Sequence, residues 1–200
     1  MKKGLLFILW CCTTGAIAQK QLRNGGFEKW KDTAGGKIPL HWSVEMVAAL
    51  HHSPSDSARE GQKALILSTW YSYVEGHFFY GDHLQPDHEK WTDYTAPFKG
   101  KPRKLTGWFR YTHPIHPNDS ASCRVLIIDR NNDTLAYGQQ LFPVTQNWTT
   151  FELPLMYFSS KPAYKIAIYF TSAEGRGGMN DDSYPNRLYL DGLKFVYRKE

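Results

Sequence analysis

Six short segments of this chain are dense in β-branched and aromatic residues, and each is closed by Gly, Pro, Asn or Asp. Several alternate cleanly. Phe151, Leu153 and Leu155 are interleaved with Thr150, Glu152 and Pro154, and Tyr164, Ile166, Ile168 and Phe170 with Lys165, Ala167 and Tyr169. A period of two sends successive side chains to opposite faces of a strand, so one face is buried and the other meets water. Residues 65–74, 105–112, 124–130, 148–155, 164–171 and 188–197 are accordingly read as strands. The link Arg130-Asn131-Asn132-Asp133-Thr134 offers residues that tolerate positive φ and reads as a hairpin turn. No window sustains a helical period, although 44–51 is long enough for a short helix. The expected fold class is all-β, an antiparallel β-sandwich of the jelly-roll kind, with no internal repeat.

The first residues are set aside from this reading. Lys2 and Lys3 precede the apolar run Leu5 to Trp10, and the stretch ends on Ala16-Ile17-Ala18, a small-x-small cleavage pattern. These features predict a signal peptide over 1–18 and a single exported domain over 19–200 in the periplasm, at the cell surface or outside the cell. The bulky Trp10 before Cys11 disfavours a lipid anchor at Cys11. Of three cysteines, only Cys123 lies beyond the leader, so the core rather than disulfides must hold the domain together. A chain of this length buries roughly two-thirds of its unfolded surface, which suffices. Two of the five net positive charges belong to the leader and the remaining basic residues are scattered, so a nucleic-acid partner has little support. No segment has the apolar length of a membrane span.

The N-terminal run Asn24-Gly25-Gly26-Phe27-Glu28-x-Trp30, followed by Ile38-Pro39-x-x-Trp42, and the closing run Leu188-Tyr189-Leu190-Asp191-Gly192-Leu193 frame the domain. This framing resembles carbohydrate-binding jelly rolls of the galactose-binding-like type. The central run Ala96-Pro97-Phe98-x-x-Lys101-Pro102-x-x-Leu105-Thr106-Gly107-Trp108-Phe109-Arg110-Tyr111 is similar to the signature of a carbohydrate metabolism domain family secreted by glycan-degrading Gram-negative gut bacteria. The matching stretches span about residues 22–197, and the resemblance implies fold more than activity. In such sandwiches the first and last strands lie side by side, which would bring Glu28 close to Asp191. Two carboxylates together call for a cation, so Asn24, Glu28 and Asp191 are candidate ligands of a structural Ca²⁺, as the resemblance also implies. The alternative is that both carboxylates hydrogen-bond turn backbone or a basic neighbour.

Residues 72–99 carry aromatic, acidic and histidine residues without a regular period, which marks a decorated insertion. Trp70, Tyr71, Tyr73, Tyr80, Trp91 and Tyr94, with Asp82 among them, are the candidate carbohydrate-binding residues. A flat ring can stack on the C–H face of a pyranose while carboxylates accept hydrogen bonds from its hydroxyls. The same aromatics could instead form a small satellite core under the insertion. Two stacked rings with a few hydrogen bonds would give roughly 4 to 8 kcal/mol, a millimolar to micromolar affinity. Trp30, Trp42, Trp108 and Trp148 read as packing residues.

The leading expectation is therefore an exported, non-catalytic glycan-binding module acting beside other surface glycan-utilisation proteins. A glycoside hydrolase needs two carboxylates at a defined separation, for which Glu75 and Asp82 are candidates. A structural or protein-interaction domain of a surface assembly is the other alternative. The histidines match no zinc spacing. Nucleophile elbow and phosphate loop motifs are missing, since Gly175-Arg176-Gly177-Gly178 precedes Asp181 and Asp182 rather than a helix.

Overall fold

A computed structural model describes residues 21–33, 36–44, 52–69, 77–80, 95–112, 120–173 and 186–198. The predicted leader lies outside these. β1 (Trp30–Thr33) and β2 (Gly36–Pro39) form a hairpin of their own. The larger sheet runs β12 (Met156–Tyr157), β10 (Thr134–Phe142), β9 (Ala121–Ile128), β13 (Lys165–Thr171), β6 (His77–Tyr80), β3 (Trp42–Val44), and β7 (Ala96–Pro97) also pairs with β13. The smaller sheet has five strands: β11 (Thr145–Pro154), β8 (Lys104–Thr112), β14 (Asn186–Val196), β5 (Ala64–Thr69) and β4 (His52–Ser55). Every pairing is antiparallel.

The two sheets face each other across one apolar core, as the alternation requires. Ala121, Cys123, Val125 and Ile127 of β9 and Ile166, Ile168 and Phe170 of β13 meet Leu105, Phe109 and Tyr111 of β8 and Leu188 and Leu190 of β14. At one end Trp42 packs among four rings, stacked on Phe78 at 4.9 Å and edge-on to Tyr80 at 5.0 Å, with Phe27 and Phe170 beyond. Trp42 is thus the packing residue expected, fully buried, and Trp30 lies against the same core. Burial also pushes the Cys123 thiol well above its ordinary value. Among the described residues no helix is long and apolar enough to cross a membrane.

All six expected strands are present, the first described over 65–69 with its remaining positions 70–74 outside the described residues, and the expected turn joins β9 to β10. Asn132 adopts φ 65°, and Asp129 accepts the backbone N–H of Asn131 and of Asp133. Of the expected helix, Val44 instead ends β3, while 45–51 lies outside the described residues. β10 carries no clean alternation because Gly138 and Gln140 occupy inward positions. Leu153 of the facing sheet and Leu155, in the link from β11 to β12, fill the space a side chain at Gly138 would take.

β6 and β7 pair one after the other along the same edge of β13. Phe79 sits opposite Tyr169 and Ala96 opposite Ile166, so a break in the chain numbering of sixteen residues is accommodated within three positions of β13.

Candidate functional site

The segment 21–27 meets the last strand, although the first and last strands do not lie side by side as expected: β1 pairs with β2, and β14 with β5 and β8. Gly25 accepts the Leu193 N–H at 2.9 Å, and the Gln21 side chain both donates to the Phe195 carbonyl and accepts from its N–H. Gly25 has no room for a methyl group, because the Leu193 carbonyl occupies that space.

The three calcium candidates have other partners here. Asn24 holds its own turn together, accepting the Lys29 N–H and donating to the Lys29 and Leu40 carbonyls. Glu28 Oε1 accepts the N–H groups of Gln62 and Lys63. Asp191 is fully buried, and its two oxygens accept N–H from Arg59, Glu60 and Gly192 at 2.7 to 2.8 Å. Burial raises the Asp191 pKa, the three N–H bonds pull it back, and Glu60 nearby adds to the rise. Both carboxylates therefore clamp the backbone of residues 59–63, the hydrogen-bonding alternative weighed above. A hard cation needs oxygens turned towards it, and oxygens already facing N–H donors do not fit that cage. Among the described residues no cluster of three His, Cys, Asp or Glu could hold a metal ion.

Of the expected stacking residues, Tyr80 lies in the core, 5% exposed and edge-on to Trp42, with its hydroxyl accepting the Arg23 N–H. Its ring is packed on protein, which removes it from a ligand platform. Standing two positions after Phe78 on β6, it shares the inward face of Phe78, while Phe79 between them faces the other side. Trp70, Tyr71, Tyr73, Asp82, Trp91 and Tyr94, and the hydrolase candidate Glu75, lie outside the described residues.

Three further rings stand on the outer face of the five-stranded sheet. On β8 the residues Leu105, Phe109 and Tyr111 point inwards, so Trp108 and Arg110 point out. On β14 Leu188 and Leu190 point inwards, so Arg187 and Tyr189 point out. Tyr189 lies opposite Arg110 across the strand pair, and Trp148 approaches from β11. The Arg110 guanidinium sits 3.9 Å from the Tyr189 ring centre and 5.6 Å from that of Trp148. The two rings meet edge to face at 6.3 Å. Two residues along β8, about 7 Å away, the Arg59 guanidinium covers Trp108 at 4.5 Å while the indole N–H donates to Glu60 Oε1. The Asp191 clamp fixes the backbone of Arg59 and Glu60, so the buried carboxylate orients the groups around Trp108. Sequence reading assigned Trp108 and Trp148 to packing. The alternation of β8 held the signal that Trp108 and Arg110 share the outer face.

No family model and no curated protein matches the sequence. Solved structures with a similar chain path include TmCBM61 in complex with β-1,4-galactotriose (10% identity, TM-score 0.47, covering 88% of this chain and 97% of that one). Another is the family 11 carbohydrate-binding module of the cellulosomal cellulase Lic26A-Cel5E of Clostridium thermocellum (11% identity, TM-score 0.48, 92% and 98% covered). A third is the CBM22-1 xylan-binding domain of Paenibacillus barcinonensis Xyn10C (13% identity, TM-score 0.45, 79% and 87% covered).

Proposed function

We propose that this chain is an exported, non-catalytic glycan-binding β-sandwich whose binding surface is the outer face of the five-stranded sheet. One observation carries the reading. Trp108 and Trp148 stand part-exposed on the outer face, with Tyr189 buried beneath Arg110 as their support, next to a core that is complete without them. Aromatic rings on a rigid sheet offer flat apolar area at low entropic cost, which suits the C–H faces of sugar rings. Asp191, the one carboxylate at this face whose proton affinity is raised, is fully buried and held by three N–H bonds, so its role is to position the loop. Trp70, Tyr71, Tyr73, Asp82, Trp91 and Tyr94 belong to the proposal as a second contact set. A structural Ca²⁺ at Asn24, Glu28 and Asp191 would compete with the N–H donors that face Glu28 Oε1 and both Asp191 oxygens.

The test is a glycan array probed with the full chain, reading retained glycan and released reducing sugar from the same wells. Retention without release, reduced at least tenfold in folded Trp148→Ala and Trp108→Ala variants, supports the proposal. Sugar release overturns the non-catalytic reading. Retention that survives both substitutions but fails in Trp70→Ala or Trp91→Ala moves the surface to the second set. Silence in both channels favours a protein-docking role.

A further inference from the structure

We infer that the outer face of the five-stranded sheet is built for an acidic glycan, with Arg110 receiving the carboxylate of a uronic acid residue. This rests on the glycan-binding reading above and sharpens it to one substrate class. Arg110 is half-buried, and among the described residues it makes no hydrogen bond and no ion pair; its partners are the Tyr189 and Trp148 rings. Its Nε is buried without a hydrogen-bond acceptor. Of the three guanidinium nitrogens, Nε alone is both buried and unpaired, which leaves the Nη edge directed to solvent. A cation fixed between rings and lacking an anion is a costly arrangement for packing alone, since a guanidinium gains most from a planar two-point partner.

The neighbouring charges point the same way. Arg187 is exposed on β14 beside Tyr189, and Arg59 lies over Trp108; neither forms an ion pair among the described residues. The anions on this side have partners of their own: Glu60 accepts the Trp108 indole N–H, Glu152 on the outer face of β11 pairs with Lys104, and Asp191 is buried under three N–H donors. The face is therefore a strip of three arginines alternating with rings, in a protein whose other basic residues are scattered. Rings select a pyranose, and the flat N–H edge of a stacked guanidinium offers two parallel donors that the two oxygens of a uronate carboxylate accept. Trp108 and Arg110, two positions apart on one strand, allow one sugar to stack while its neighbour presents its acid.

The experiment measures binding of the full chain to oligogalacturonate and to a neutral galacto-oligosaccharide of equal length by calorimetry, at low and high salt. We expect the acidic ligand to bind at least tenfold tighter, with the preference shrinking as salt screens it. Arg110→Gln should abolish the preference, read as the ratio of the two affinities measured on the same variant. Arg110→Lys keeps the charge without the planar edge and should retain only part of the preference. If Arg110→Gln does not fold by circular dichroism, the exposed Arg187→Gln provides the check and should lower acid affinity several-fold. Equal affinity for the two ligands, or a preference unchanged in the variants, overturns the inference and leaves the glycan-binding reading standing. Binding of neither ligand overturns this inference, and the array then decides the broader reading.

Discussion

Replacing Asp191 by alanine tests what the buried carboxylate does. The side chain is fully buried and takes three backbone N–H bonds, two from Arg59 and Glu60 and one from Gly192. A hydrogen bond to a charged acceptor contributes roughly 1.5 to 3 kcal/mol, and a donor left without a partner costs about 1 to 3. Arg59 and Glu60 lie on a loop that can turn partly to water, and the carboxylate's own desolvation offsets some of the gain. The net loss expected is about 3 kcal/mol, or roughly 6–12 °C in Tm for a chain of this length. The pH dependence has a definite sign. Because folding raises the Asp191 pKa, its contribution is fully present below the unfolded value of about 3.9 and declines as pH rises through the folded one. Urea unfolding followed by circular dichroism should thus show a larger loss for Asp191→Ala near pH 4 than near pH 7. A chelator should leave the Tm of the unaltered chain unchanged, since N–H donors rather than a cation satisfy these oxygens. A loss under about 1 kcal/mol at both pH values, or a Tm that falls on chelation, would refute the amide clamp.

Three other outcomes follow from the geometry. Gly138→Ala puts a methyl group against Leu153 of the opposite sheet and Leu155 just beyond it, and thermal melts should show a loss of about 1 to 3 kcal/mol. Burial acts to raise the Asp129 pKa, but the N–H groups of Asn131 and Asp133 and the Lys161 ammonium bring it below its ordinary value. The turn therefore gains stability above the unfolded pKa and loses it as pH falls through the folded one, so the gap between the unaltered chain and Asp129→Asn should narrow on acidification. Cys123, buried with a raised pKa, should resist a thiol reagent in the folded chain and react once denatured; reaction at the same rate in both states would contradict its placement.

The strands with a regular period were legible because alternation and burial are the same fact seen twice. β8 follows its pattern from Leu105 to Tyr111 without exception, which fixes Trp108 and Arg110 on the outer face. What that pattern does not contain is the partner strand: that Tyr189 and Trp148 close around Arg110 depends on the order β11, β8, β14, set by long-range pairing. Tyr80 was misjudged for the opposite reason. It stands at the end of a four-residue strand, too short to reveal which way its ring turns, and Trp42 decides the matter from 38 residues earlier in the chain. The pairing of Asp191 with residues 59–60 likewise spans more than 130 residues, whereas the meeting of residues 21–27 with the last strand was readable from two glycine-containing motifs. Strand β10 escaped notice because Gly138 leaves its inward position empty for Leu153 to fill.

The succession of β6 and β7 along one edge of β13 holds both ends of the chain between them in place. The strand positions that bracket it, opposite Tyr169 and Ile166, are three residues apart on β13, so the gap to be closed is about 10 Å. Closing such a gap costs conformational entropy that grows only with the logarithm of the loop length, about 0.6 kcal/mol per doubling. The pairings of 77–79 and 96–97 with β13 therefore fix the distance the intervening chain must cover, and the entropy of covering it depends only weakly on how many residues do so.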